Sequence, residues 1–174
     1  VSAEESAASL AGMTSSARPT TPLTVTTVDW EHPDAVTLRA EMAAEVGPRY
    51  AYQAETLKGS TFNVVDPDTV HSCLLAYSAD EAAGHAALRW NNGELELKRM
   101  FVRPAHRGSG AAALLLAAAE DAVRAAGLPR LILQTGHLQP DAVRFYERSG
   151  YHRIPLFSPY EVVPRSNFFA RHLD

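Results

Sequence analysis

Val102-Arg103-Pro104-Ala105-His106-Arg107-Gly108-Ser109-Gly110-Ala111-Ala112 is the stretch on which the fold of this chain turns. A strand pattern ends at Val102, two glycines permit a tight turn, and an alanine- and leucine-rich helix begins at once. Glycine lacks the Cβ that would hold a ligand away from the main chain. The first turn of a helix has N–H groups without intrahelical acceptors, and the helix dipole favours negative charge beside them. The junction therefore reads as a pyrophosphate cradle, with Arg107 adding fixed positive charge at its edge. A dinucleotide fingerprint would need a third glycine where Ala113 stands, and a P-loop would need a Lys-Ser/Thr pair after the turn, which is missing.

Upstream of this segment, Glu94 to Val102 reads as a strand, entered through the turn signal Asn91-Asn92-Gly93. Val70 to Tyr77 and Gly84 to Trp90 read as two strands of a hairpin, and Leu23 to Val28 as a first strand. Between them, Ala35, Leu38, Met42 and Val46 give a helical period over Asp34 to Val46, with Gly47-Pro48 as its stop. Residues 49–67 read as a short helix or loop. Downstream, Ser109 to Ala126 is a helix with Leu115, Ala119 and Ala122 on one stripe, ended by Gly127-Leu128-Pro129. Leu131-Ile132-Leu133 is a buried strand, Pro140 opens a helix that ends at Gly150, and Tyr151 to Ile154 and Asn167 to Leu173 are the last strands. Residues 1–22, rich in Ser, Ala, Thr and Pro, read as a tail, with one ordered domain over residues 23–174.

The bulk numbers suit a globular enzyme-sized domain: 174 residues, 46% apolar, 21% charged. A net charge of -4 weighs against a nucleic-acid partner. No run approaches the ~20 apolar residues of a membrane span, and a single cysteine, Cys73, sits in an apolar run as a core residue. No leader pattern is present, so a cytoplasmic location is expected. The seven histidines are scattered without metal-ligand spacing, and no metal is expected.

Arg107-x-x-Gly110-x-Ala112 resembles the coenzyme A signature of the GNAT acetyltransferase superfamily. Leu97 to Pro104 resembles that family's central strand, and Ala142-Val143-Arg144-Phe145-Tyr146-Glu147-Arg148-Ser149-Gly150-Tyr151 is similar to its C-terminal motif. The resemblance runs from about Leu23 to the end. It implies an α/β (α+β) fold with a mixed, mostly antiparallel sheet of six to seven strands, about four helices, and a splay between strands four and five. It also implies acetyl-CoA as co-substrate and an amine as acceptor, with a homodimer among the common assemblies.

Under that resemblance Met100, Phe101 and Val102 pair with the pantetheine arm of the cofactor, and Arg107, Gly108, Ser109, Gly110, Ala111 and Ala112 hold its pyrophosphate. Leu133, Gln134 and Thr135 line the opposite wall. Gln139 stands where the family often has Asn. Tyr146 is the expected general acid, because a phenol with a pKa near 10 holds a proton at neutral pH. Glu96 is the candidate base and Glu94 a weaker one. Strand alternation puts 96, 98, 100 and 102 on one face, beside the cofactor. Lys98 and Arg99 favour an acceptor bearing a carboxylate, unless they pair with nearby glutamates, and His137 lies close enough to meet substrate. Three other readings stay open: a protein or peptide acetyltransferase, a non-catalytic acyl-CoA sensor, and a nucleotide-binding protein. Tyr146→Phe is silent for the sensor, and ATP or NAD protects the fold of the nucleotide binder.

Overall fold

The computed structural model describes residues 22–60 and 62–174. All but the last residue of the expected tail, 1–22, lies outside the described residues. Seven strands form one sheet: β1 (Leu23–Val28), β2 (Val70–Ser78), β3 (Glu81–Asn91), β4 (Glu94–Val102), β5 (Arg130–Thr135), β6 (His152–Arg153) and β7 (Asn167–His172), ordered β1-β2-β3-β4-β5-β7-β6. Every neighbouring pair is antiparallel except β4 and β5. Among the described residues three α-helices join them, α1 (Pro33–Val46), α2 (Ala111–Ala125) and α3 (Pro140–Arg148). The chain after α1, where a stop was expected, winds on as a 3-10 helix, Gly47–Gln53. Gly47 keeps helical dihedrals and Pro48, lacking an N–H, fits a first turn, so the pair tightens the winding rather than ending it.

The helices cover both faces of the sheet. On one, Leu115, Leu116, Ala119 and Val123 of α2 pack against Leu74, Leu88, Leu97 and Leu131, with Tyr146 and Phe169 closing the far end. Each fully buried leucine here contributes about 1.5–3 kcal/mol. On the other, Ala35 and Leu38 of α1 pack on Cys73, Leu75 and Phe101. A third cluster, Tyr160, Val163 and Phe168 with Leu57 and Phe62, roofs the middle of that face. Gly84 on β3 is required by packing, since a Cβ there would lie 2.8 Å from the Phe101 carbonyl oxygen.

Two irregularities at β4 shape everything that follows. The parallel ladder to β5 has three rungs, Leu95 to Leu131, Glu96 to Ile132 and Leu97 to Leu133, and stops. β4 runs on to Val102 with no strand beside it on that edge, so the sheet opens as a wedge. Beyond Leu97, β4 also carries a bulge: two steps on β3, from His85 to Ala87, span three on β4, from Phe101 back to Lys98. Arg99 absorbs the extra residue with φ of 55°, in the left-handed region.

Candidate active site

The bulge reverses the alternation of β4. Leu95 and Leu97 point to α2, and so do Met100 and Val102, whereas Phe101 packs under α1. Glu96 and Lys98 therefore lie on the Phe101 face. The expectation that 96, 98, 100 and 102 share one side fails, because the period of two is broken by the residue inserted at Arg99. Phe101 likewise presents its ring to α1 rather than to the wedge.

A buried imidazole holds the bulge. His85, fully buried on β3, makes a 2.8 Å hydrogen bond from Nδ1 to the Arg99 carbonyl. Nδ1 is thus the protonated nitrogen, and Nε2 accepts from Cys73 Sγ at 3.4 Å and from Arg39 at 3.5 Å. Burial lowers the His85 pKa to about 4, so the ring is neutral at physiological pH. Arg39 is itself fixed by the Trp30 carbonyl at 2.7 Å and lies 3.6 Å above the Trp30 ring. Cys73 is a core residue, its thiol pKa raised to about 11 chiefly by burial.

The wedge opens into a cavity of about 730 Å³. Met100, Gln134, Thr135, Gln139 and Tyr146 line its β4–β5 side. Tyr146 is the one buried residue of α3, and its hydroxyl donates to Met100 Sδ at 3.6 Å. Burial without a charged partner drives its pKa well above that of free tyrosine, so it holds its proton. Gln134 Nε2 donates to Ser166 at 2.9 Å, while Leu133 is buried against Leu97 instead of lining the opening.

At the other end of the cavity stands a cluster that spacing along the chain did not reveal. Glu96 is fully buried, and its Oε2 accepts from Arg89 Nε at 2.9 Å and Asn91 Nδ2 at 3.2 Å. Its Oε1 accepts from the Tyr160 hydroxyl and lies 3.6 Å from Lys98 Nζ. Lys98 in turn donates to the Tyr160 oxygen at 2.7 Å. Of these residues it is Lys98 that lines the cavity. Desolvation lowers its pKa to about 8, partly offset by Glu96. Glu96 is expected at the reacting amine; the structure puts it beneath Lys98 with both oxygens engaged. Glu94, the other carboxylate considered, is clamped by Arg130 at 2.5 and 3.0 Å. Tyr160, which closes the segment Ile154-Pro155-Leu156-Phe157-Ser158-Pro159-Tyr160, carried no assigned role in the sequence reading.

The glycine turn lies at the start of α2. Gly108 and Gly110 adopt φ of 79° and 96°, values that favour glycine, and Gly110 is the N-cap. Ser109 Oγ accepts from the Ala111 N–H at 3.3 Å, while the next amides of the first turn have no acceptor within the helix. Arg107 extends from the loop, but its guanidinium is held by Glu45 of α1 at 2.6 and 2.8 Å and by the Val102 carbonyl at 3.1 Å. Its charge is shared with α1 and is not reserved for a ligand. The 3-10 helix after α1 closes the cavity mouth: Tyr50 accepts from the Leu138 N–H at 3.1 Å, and Tyr52 bonds His137 Nε2 at 2.8 Å. Part of the segment 49–67, read as a short helix or loop, thus forms a wall of the cavity from Tyr50 to Leu57. Among the described residues no cluster has the make-up of a metal site, and no helix is long and apolar enough to cross a membrane.

A mixed sheet split at β4 and β5, with a glycine-turned helix starting beside the split, is a frame suited to a phosphate-bearing ligand laid in the opening. The chain belongs to the acetyltransferase (GNAT) family, whose model matches residues 29–151. It is 39% identical over 90 residues to IAA acetyltransferase of Azospirillum brasilense, 52% of this chain and 59% of that protein. Acetyltransferase Atu2258 of Agrobacterium fabrum is 40% identical over 76 residues, 44% of this chain and 51% of its own. The chain thus spans little more than half the length of the curated relatives it matches. A Klebsiella pneumoniae protein assigned as an acyl-CoA N-acyltransferase superposes with a TM-score of 0.69 at 32% identity, covering 87% of this chain and 98% of that one. A GNAT family acetyltransferase from Elizabethkingia anophelis, solved with acetyl-CoA bound, has the same fold, with a TM-score of 0.60 at 14% identity over 87% of this chain and 98% of that one.

Proposed function

We propose that this protein transfers the acetyl group of acetyl-CoA to the primary amine of a small molecule by direct attack. The observation that carries the reading is the protonated, buried Tyr146, whose hydroxyl meets Met100 where the sheet opens. The unpaired edge of β4 supports the pantetheine arm as a pseudo-strand, with Met100 and Val102 supplying main-chain contacts. The glycine turn and the start of α2, Gly108 to Ala112, receive the pyrophosphate. Gln134 and Gln139 flank the arm from the β5 side.

In the reaction the neutral amine forms an N–C bond to the thioester carbonyl carbon and the C–S bond breaks. Tyr146 gives its proton to the departing thiolate. The proton leaving the amine passes to solvent water. Glu96 takes no proton directly; it holds Arg89, Lys98 and Tyr160 in place.

Thermal unfolding with acetyl-CoA, CoA, ATP and NAD in parallel tests the cofactor. A ligand at 100 times its dissociation constant adds about 2.7 kcal/mol, visible as a raised melting temperature. The two CoA forms alone are expected to shift the transition. A shift with ATP or NAD instead would overturn the reading.

A further inference from the structure

The walls of the cavity differ in kind between their ends, and that difference bears on the acceptor. Three cationic side chains, Lys98, Arg99 and Arg165, face it, and no Asp or Glu is among its lining residues. Lys98 and Arg89 share the single buried carboxylate of Glu96, so this cluster keeps a surplus positive charge. Arg99 spends one guanidinium nitrogen on the Asn63 carbonyl, at 2.5 Å. Among the described residues neither Arg99 nor Arg165 forms an ion pair. Leu57, Phe62, Val162 and Val163 add apolar surface to the lining, with Thr56 and Asn63 among its polar residues.

Resting on the N-acetyltransferase reading, we infer that the acceptor is an amine carrying a carboxylate and a large apolar group, an apolar or aromatic amino acid by class, whose carboxylate Lys98 anchors. Lys98 and Met100 leave β4 on opposite faces but both line the cavity, so an acceptor whose carboxylate meets Lys98 spans the opening toward Tyr146. Tyr160 and Glu96 fix the direction of the ammonium from behind. A cavity with cations and no carboxylate also excludes polyamines, since like charges meet in a partly dry space. Lys98 is a specificity-determining residue here, and Glu96 and Tyr160 position it.

The test is a panel of L-phenylalanine, L-phenylalaninamide, phenethylamine, glycine and spermidine, with acetyl-CoA and detection of the released thiol. L-phenylalanine is expected to exceed its amide in kcat/KM by about 10- to 100-fold, the range for losing a hydrogen-bonded charge partner, and spermidine to be the poorest. Lys98→Met should erase the difference between acid and amide, Lys98→Arg should restore part of it, and the melting shift by acetyl-CoA should persist in both. Arg165→Gln, at an exposed position that the fold does not need, should narrow the same difference. If no amine in the panel turns over, binding decides through the melting temperature in saturating CoA. There L-phenylalanine must stabilise the protein more than its amide does. Equal rates or shifts for acid and amide, or a preference for spermidine, would overturn the inference while the acetyl-CoA shift leaves the enzyme class standing. Loss of that shift in the unmodified protein would instead remove the reading beneath it.

Discussion

Tyr146 and Lys98 hold protons for opposite reasons. The Tyr146 phenol keeps its proton because burial penalises the phenolate, and in the proposed reaction that proton goes to the thiolate. Tyr146→Phe is therefore expected to lower kcat about 100-fold in steady-state assays while leaving acetyl-CoA binding in place. The Lys98 ammonium is opposed by the same desolvation and kept by Glu96. Glu96→Gln removes that counter-charge and leaves two buried cations, Arg89 and Lys98, without it. Urea titration should find the variant destabilised by about 3 kcal/mol or more. The place of Tyr146 was legible in the sequence, since the Ala-x-x-Phe-Tyr-x-x-x-Gly-Tyr run, Ala142 to Tyr151, marks it locally. The cluster around Glu96 was not, because Tyr160 lies 64 residues from Glu96 and 62 from Lys98, and only folding joins them.

Among the elements, the bulge in β4 is the feature that most alters the site, and His85 is what keeps it. The folded His85 pKa, about 4, lies below the 6.5 of an unfolded chain. Between these values the unfolded state binds the proton and the folded state resists it, so stability is lost as pH falls from 6.5 toward 4. At pH 5 the loss from this residue is about 2 kcal/mol. Urea midpoints measured at pH 7 and pH 5 should show it, and His85→Gln should flatten that part of the slope. At the start of α2, Gly110→Ala puts a Cβ on a φ of 96° and should weaken CoA binding at least about tenfold by calorimetry, through a turn that no longer seats the helix. Strand and helix positions were readable from periodicity and turn residues, β1 and β4 to the residue and the other ends within three residues. The bulge was not readable, because one inserted residue within an apolar and charged strand leaves the pattern of residue types unchanged. The 3-10 winding of Gly47–Gln53 escaped for a related reason: Gly-Pro signals an ending equally well as a tightening.

On the scale of the whole molecule, the sheet is two rafts, β1 to β4 and β5 with β7 and β6, joined edge to edge. The place of the split followed from the sequence through family resemblance, whereas the order of the strands in the sheet and the length of the join are matters of geometry alone. Hydrogen exchange should report the join directly: amides of residues 100–102 are expected to slow at least about tenfold when CoA is added, with little change on β2. An unaltered rate there would place the pantetheine arm elsewhere. In mechanical terms, three parallel rungs between Leu95–Leu97 and Leu131–Leu133 form a seam weaker than the longer antiparallel ladders on either side. A strand-like ligand laid along that seam acts as a splint, so the force needed to part the rafts becomes a measure of how fully the arm is bound.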